Sequence, residues 1–206
     1  MLMATLADPT INRPHQPNGL RPALWHVPRG ETQAVAERFA AARTKTADPR
    51  VVRAYQQLEA QTDRQYAALT QPQGRYRFTV VATSAATPYT SAQELIAAVL
   101  ATRTLEVTAS PDRPHPLLGH AAGSAYFRFR AVHDLVGHVA TGFGFDRDGE
   151  YSAWLAQRRY YTGPARWAAA TELHGEVSAL WATGQFAEHK AVLLDRAACL
   201  TVQPPK

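Results

Sequence analysis

The segment AYFRFRAVHDLVGHVATG, residues 125–142, predicts a long amphipathic helix around which the rest of the fold can be organised. Its apolar side chains recur at helical spacing and form one stripe for burial, made of Phe129, Val132, Val136 and Val139. His133 borders that stripe, but His138 does not, because residues five apart are separated by about 140° around an ideal helix. Either the two histidines do not share a metal, or the helix is distorted just before His138. A single π turn would bring the two imidazoles together, and Gly137 permits such a distortion.

A near copy of the histidine motif lies upstream in HPLLGH, residues 115–120. The prolines on both sides of His115 are incompatible with the interior of a regular helix. We therefore expect His115 and His120 in a loop or at the entry of a helix, with His120 a candidate pocket residue near the metal.

A third ligand is offered by the predicted helix PARWAAATELHGEVSALW, residues 164–181. Glu176 and His174 border its apolar side, and Glu172 lies further round. Two imidazoles and one carboxylate would form the facial triad of non-haem iron(II) enzymes, which leaves positions open for dioxygen and a co-substrate. A solvated acidic helix face is the alternative interpretation of these carboxylates.

HDLVGH closely resembles the H-E-L-L-G-H segment of the pterin-dependent aromatic amino acid hydroxylases. The resemblance implies iron(II) bound by His133 and His138, with Glu172 as the counterpart of the family's glutamate ligand. It is the reason for ranking Glu172 above Glu176. Asp134 replaces the family's glutamate and Ala140 its proline, and no pterin-binding loop is identified, so pterin is implied by resemblance alone.

A second resemblance covers about residues 75 to 180. The stretch FRAVHDLVGHVATGFGFDRDGEYSAW, residues 129–154, is similar to a group of uncharacterised phage and bacterial proteins. These proteins share FRAVHD, then GH, then GFDRxGE, then a later helix containing ET. This resemblance implies no known activity.

Outside the central segment, the patterns predict a predominantly helical α+β fold, in which a small strand–helix–strand unit packs with a helical bundle that carries the metal site. We expect an N-terminal arm at 1–30, one domain at 31–200 and a tail at 201–206. Helices are predicted at about 31–45, 49–69, 91–103, 122–140, 149–161, 164–182 and 186–198, and strands at 75–82 and 104–108.

Composition limits the classes of function. The chain has 206 residues, one cysteine and a formal net charge of +5. Its basic residues are scattered, which disfavours a nucleic-acid partner. No apolar run has the length of a signal peptide or a membrane span, so we expect a cytoplasmic protein without a membrane partner.

The leading functional hypothesis is a mononuclear non-haem iron(II) oxygenase, a hydroxylase that takes dioxygen and a small organic substrate. His133, His138 and Glu172 would bind Fe(II). Asp134, Glu176 and His174 would be catalytic, with Asp134 holding a ring N–H or a bound water.

Two alternatives stay open. The His133-Asp134 doublet also fits a metal-dependent phosphohydrolase of HD type. Such an enzyme would need an upstream histidine, for which His115 and His120 are candidates, and one downstream aspartate from Asp146, Asp148 and Asp195. The other alternative is a non-enzymatic phage or bacterial accessory protein with structural histidines.

Overall fold

The structure of the protein is a computed structural model that describes residues 24–109 and 114–194. It confirms the predominantly helical α+β class. The helices are α1 (Arg29–Ala41), α2 (Pro49–Thr70), α3 (Ala92–Thr102), α4 (Ala125–His133), α5 (Arg147–Gln157), α6 (Pro164–Ala170) and α7 (Glu176–Thr183). A first π turn, Asp134–Val139, continues α4, and a second π turn, Thr171–Gly175, joins α6 to α7. A short 3₁₀ turn, Arg158–Tyr160, follows α5.

The predicted helix starts are confirmed where the sequence supplies a cap. The Asp48 carboxylate accepts a hydrogen bond from the backbone N–H of Arg50, with Pro49 opening α2. The Ser91 hydroxyl accepts from the backbone N–H of Glu94 at the start of α3. These contacts satisfy N–H groups that have no partner within the helix.

The strand–helix–strand unit is also confirmed. Strand β1 (Thr79–Thr83) pairs in parallel with β2 (Thr104–Thr108), and α3 connects them. Strand β1 is shorter than predicted, because the N–H of Phe78 donates to the carbonyl of Leu69 at the end of α2 instead of joining the sheet. Phe78 remains buried, so the predicted inward face is retained.

The continuous helix formed by α4 and the first π turn lies between two hydrophobic cores. Phe129 packs with the helical bundle of α2 and α6, whereas Val132 and Val136 pack with the strand–helix–strand unit. The segment is therefore buried on two sides, and not along a single stripe. Burial on both sides encloses both histidines of the motif, since His133 is 3% and His138 1% exposed.

The predicted helix at 186–198 is wrong over its described part, because residues 186–194 are not helical. Tertiary contacts compete with helix formation there. Backbone carbonyls of this segment accept hydrogen bonds from the N–H of Lys45 and from the hydroxyl of Thr171, and the Tyr55 hydroxyl lies 3.1 Å from the carbonyl of Lys190. Lys190 donates in turn to three carbonyls at the end of α1. Its extended path carries His189 to the side of α7.

At the other end of the chain, residues 24–28 lead into α1. The backbone N–H of Trp25 donates to the Ser152 hydroxyl at 2.8 Å, and this hydrogen bond connects the segment to α5. The predicted arm up to residue 23 and the predicted tail at 201–206 lie outside the described residues. Within residues 24–109 and 114–194, no helix combines the length and the apolar character needed to cross a membrane.

Candidate metal centre

The first π turn brings His133 and His138 together. The N–H of Ala140 donates to the carbonyl of Leu135, five residues back, at 2.9 Å. This wider turn rotates His138 onto the side of His133, and their Nε2 atoms lie 3.1 Å apart. The π turn that a shared metal would require is therefore present.

The partners of the two Nδ1 atoms orient both rings. His138 Nδ1 lies 3.0 Å from the backbone carbonyl of Phe143, which can only accept, so Nδ1 carries the proton. His133 Nδ1 lies 2.8 Å from the amide oxygen of Gln157, a fully buried residue of α5. In the neutral rings, both Nε2 atoms therefore keep a free electron pair, and the two pairs face each other. Metal-binding histidines are commonly held in this way.

Glu150, in the first turn of α5, supplies the carboxylate at this site. Its Oε2 lies 3.4 Å from His133 Nε2 and 3.6 Å from His138 Nε2. With the 3.1 Å separation of the two nitrogens, the three atoms lie on a circle with a radius of about 2.0 Å. Metal–nitrogen and metal–oxygen bonds of about 2.0–2.2 Å match that radius, so one ion can contact all three atoms.

The same three groups attract positive charge. Burial opposes charge on His138 and on Glu150, but the attraction between these two groups prevails. It raises the pKa of His138 and holds the pKa of Glu150 well below its usual value. The site therefore favours a positive charge among these acceptors.

Glycine residues allow the elements of this site to pack closely. A Cβ atom on Gly137 would lie 3.1 Å from His133 Nδ1 and 3.2 Å from the Cβ of Ala153. A Cβ on Gly149 would collide with the backbone of Gly144 in the preceding loop. The first turn of α5, and with it Glu150, can consequently lie directly against the π turn.

The structure places Glu172 in a separate cluster and not beside the two histidines. Glu172 Oε1 accepts hydrogen bonds from the Tyr55 hydroxyl at 2.5 Å and from His115 Nε2 at 3.2 Å. His115 Nδ1 accepts the N–H groups of Leu117 and Leu118, so its proton is on Nε2. His115 thus lies in a loop as expected, but it is buried and orients Glu172.

Glu176 belongs to the same second cluster. Its Oε1 lies 2.5 Å from His189 Nδ1, and its Oε2 accepts from the Tyr126 hydroxyl at 3.4 Å. The ligand atoms of Glu172, Glu176 and His189 all lie within 4.8 Å of one another. His120 contributes a ring that contacts Tyr126 and His189.

The two remaining predicted catalytic residues have different surroundings. Asp134 is half-buried, and its carboxylate forms a group with His133 and His138 in which all ligand atoms lie within 4.8 Å. It does not hold their ring N–H groups, which contact Gln157 and Phe143. His174 lies in neither cluster; it packs against Tyr151 and lines a small cavity. Burial lowers the pKa of His174 to about 4.

Sequence reasoning missed Glu150, Gln157 and His189. An acidic residue in the first turn of a helix is usual because it favours the helix dipole, so Glu150 carried no distinct signal beyond its place in GFDRDGE. Gln157 is one polar residue in a helix with no motif around it. His189 lies in the segment that was predicted to be a helix, and its contact with Glu176 depends on the non-helical course that this segment takes instead.

In comparisons with protein-family models, curated proteins and solved structures, nothing matches this chain.

Proposed function

We propose that the protein is a mononuclear non-haem iron(II)-dependent oxygenase, a hydroxylase of a small organic substrate. The metal ligands in this proposal are His133, His138 and Glu150. Glu150 replaces Glu172 as the carboxylate of the two-histidine, one-carboxylate set. Iron(II), when bound, supplies the redox chemistry with dioxygen, and three protein ligands leave further coordination positions available.

One observation carries the proposal. Two imidazole nitrogens and one carboxylate oxygen converge as electron-pair donors, and the N–H groups of both imidazoles point away from them. His133 Nε2, His138 Nε2 and Glu150 Oε2 lie 3.1–3.6 Å from one another. A buried arrangement of this kind is costly unless a cation lies among the acceptors. The donor set also matches the facial triad of iron(II) oxygenases, and the segment's resemblance to the hydroxylases supports the same metal.

The surrounding residues have distinct roles in this proposal. Gln157 and the carbonyl of Phe143 hold the rings with Nε2 directed at the centre. Phe145 lies 4.9 Å from the His138 ring between centroids and limits the access of water. Asp134 is half-buried beside the histidines, where its carboxylate can accept a proton from a substrate or a water. Glu150 is largely buried, with 16% of its side chain exposed, so substrate would approach the centre from the side of Asp134 and this exposed part of Glu150.

The test is an anaerobic titration with iron(II), followed by a screen of oxygen consumption with small organic substrates and reductants. We expect His133→Ala and Glu150→Gln each to bind one iron fewer than the wild type and to lose iron-dependent oxygen uptake. Glu188→Gln, which changes an exposed carboxylate, is the matched control and should behave as the wild type. Equal iron binding in the wild type and in both site variants would refute the assignment.

A phosphohydrolase of HD type is the second candidate, because Asp134 groups with both histidines. Its further ligands are less well placed. Asp146 caps α5 by accepting from the N–H of Gly149, and Asp148 bonds His26 and Val27. Asp195 lies outside the described residues. Hydrolysis of phosphate esters with magnesium or manganese in the absence of oxygen would favour this candidate.

A structural role for the histidines gives a third pattern of results. In a non-enzymatic accessory protein, His133→Ala would lower the melting temperature in the presence of a chelator, and no metal would raise it. In the metalloenzyme, added metal should raise the melting temperature of the wild type but not of a variant that lacks a ligand.

A further inference from the structure

We propose that the protein has a second divalent-metal centre, with Glu172, Glu176 and His189 as its ligands. The ligand atoms of these three residues lie within 4.8 Å of one another, in a group separate from His133 and His138. The centre is independent of the proposed oxygenase function, because it shares no ligand with the first site. Two carboxylates and one imidazole are a donor set for manganese(II) or iron(II).

Glu176 and His189 approach each other closely inside the protein. Glu176 Oε1 and His189 Nδ1 approach to 2.5 Å, yet neither atom makes a hydrogen bond within the described part of the chain. Both atoms are buried, and Glu176 as a whole is only 8% exposed. Buried polar atoms without a partner are rare and costly. An ion bound between them would give both atoms a partner.

The orientation of Glu172 is a further argument. Both hydrogen bonds of this carboxylate fall on Oε1, from Tyr55 and from the Nε2–H of His115. Oε2 is left for a further partner within the described part of the chain. The proton of His115 is fixed on Nε2 by the two backbone N–H groups that Nδ1 accepts. A carboxylate oriented by buried hydrogen-bond donors is typical of a metal ligand.

The negative charges of the two buried carboxylates also favour a bound cation. Glu172 is 4% and Glu176 8% exposed, and two carboxylates this close repel each other in a buried environment. Tyr55 and Tyr126 beside them donate hydrogen bonds to the carboxylates but carry no positive charge. Arg130 interacts electrostatically with Glu176 but makes no hydrogen bond with either carboxylate among the described residues. A divalent cation would compensate both charges directly.

The backbone supplies a further argument. Glu172 lies in the second π turn and Glu176 follows it immediately, just as His138 lies in the first π turn and His133 precedes it. π turns are rare and are found frequently at functional sites. The non-helical course of residues 186–194 then brings His189 to the two carboxylates.

The experiment is a titration of the metal-free protein with manganese(II), in which the electron paramagnetic resonance signal of the free ion gives the number of ions bound. We expect two ions per chain in the wild type and one in each of Glu176→Gln, His189→Gln and His133→Ala. The double variant His133→Ala/Glu176→Gln should bind none. Glu188→Gln is the control for loss of an exposed carboxylate near the site.

The outcomes separate the two sites. If Glu176→Gln and His189→Gln bind as many ions as the wild type, the second centre is refuted, whatever happens at the first. A single ion in the wild type that is lost in Glu176→Gln but kept in His133→Ala would support the second centre and contradict the oxygenase site. If the second-site variants fail to fold, His133→Ala decides, since one bound ion supports this proposal and none refutes it.

A positioning variant provides an independent readout. Tyr55→Phe removes one of the two donors to Glu172 Oε1 without changing a ligand. In the His133→Ala background, we expect it to weaken manganese binding about 10- to 100-fold, as is usual when a partner of a metal ligand is removed. Unchanged affinity would contradict the role of Glu172 as an oriented ligand.

Discussion

Replacing Gln157 tests how the first metal centre is oriented. Gln157 is fully buried, and its amide oxygen lies 2.8 Å from His133 Nδ1. Gln157→Leu keeps the approximate size of the side chain but leaves the ring N–H without an acceptor. Loss of such a partner weakens metal binding about 10- to 100-fold, which corresponds to about 1.4–2.8 kcal/mol. The unpaired N–H costs a further ~1–3 kcal/mol in the free energy of unfolding.

The assay is the dissociation constant of the metal together with the free energy of unfolding of the metal-free protein. Tyr161→Phe is the matched control, because the Tyr161 hydroxyl contacts the other end of the same amide at 3.4 Å. This control should lose about 1 kcal/mol of stability and keep its metal affinity. Gln157→Glu should retain the affinity, since a carboxylate can accept the same ring N–H. Equal affinity in Gln157→Leu and the wild type would refute the reasoning, and weak binding in Gln157→Glu would show that His133 Nδ1 is an acceptor.

The remaining predictions concern pH and packing. Against the effect of burial, the neighbouring carboxylate raises the pKa of His138, so this group stabilises the metal-free protein at low pH. That contribution should be lost as the pH rises above 6.5, the ordinary pKa of histidine, and through the raised pKa of His138. Metal affinity should increase over the same range, because the metal competes with the proton. Melting curves with chelator measure the first trend, and melting curves with metal measure the second. Burial lowers the pKa of His174 from 6.5 to about 4, so stability should fall as the pH decreases between these values. His174→Leu should remove this loss of about 3 kcal/mol, whereas an unchanged pH profile would contradict the assignment. Gly175→Ala would place a Cβ 2.6 Å from Leu194 Cδ1 and should lower the free energy of unfolding by about 1–3 kcal/mol. Gly30→Ala, where nothing lies within 4 Å, is the control and should be neutral or slightly stabilising in denaturant melts.

Local patterns in the sequence predicted the elements whose causes are local. The caps at Asp48 and Ser91 and the alternation near Phe78 depend on residues a few positions apart, and the structure confirms the elements they predict. The five-residue spacing of His133 and His138 indicated that a shared metal would require a π turn, because no regular helix brings such a pair together, and the structure contains that turn. These two histidines are the part of the candidate centre that the sequence alone could indicate.

The identity of the carboxylate at the first centre is determined by tertiary packing. Glu150 reaches the histidines because α5 packs against the first π turn, with glycine at the points of closest approach. The resemblance favoured Glu172, which the structure places with Tyr55 and His115. Sequence separation carries no information on which of two acidic helices faces a given histidine pair, because that depends on how the helices pack.

What the sequence by itself determined is the helical class, the capped helix starts, the strand–helix–strand unit and the π turn that would be needed to pair His133 with His138. Each follows from steric limits and hydrogen bonds within a few residues, which any tertiary context must respect. Only the tertiary structure decided that Glu150 joins that pair and that Glu172 and Glu176 meet His189. These contacts depend on burial shared between distant segments, and in residues 186–194 the hydrogen bonds to α1, α2 and the second π turn outweighed the local preference for a helix.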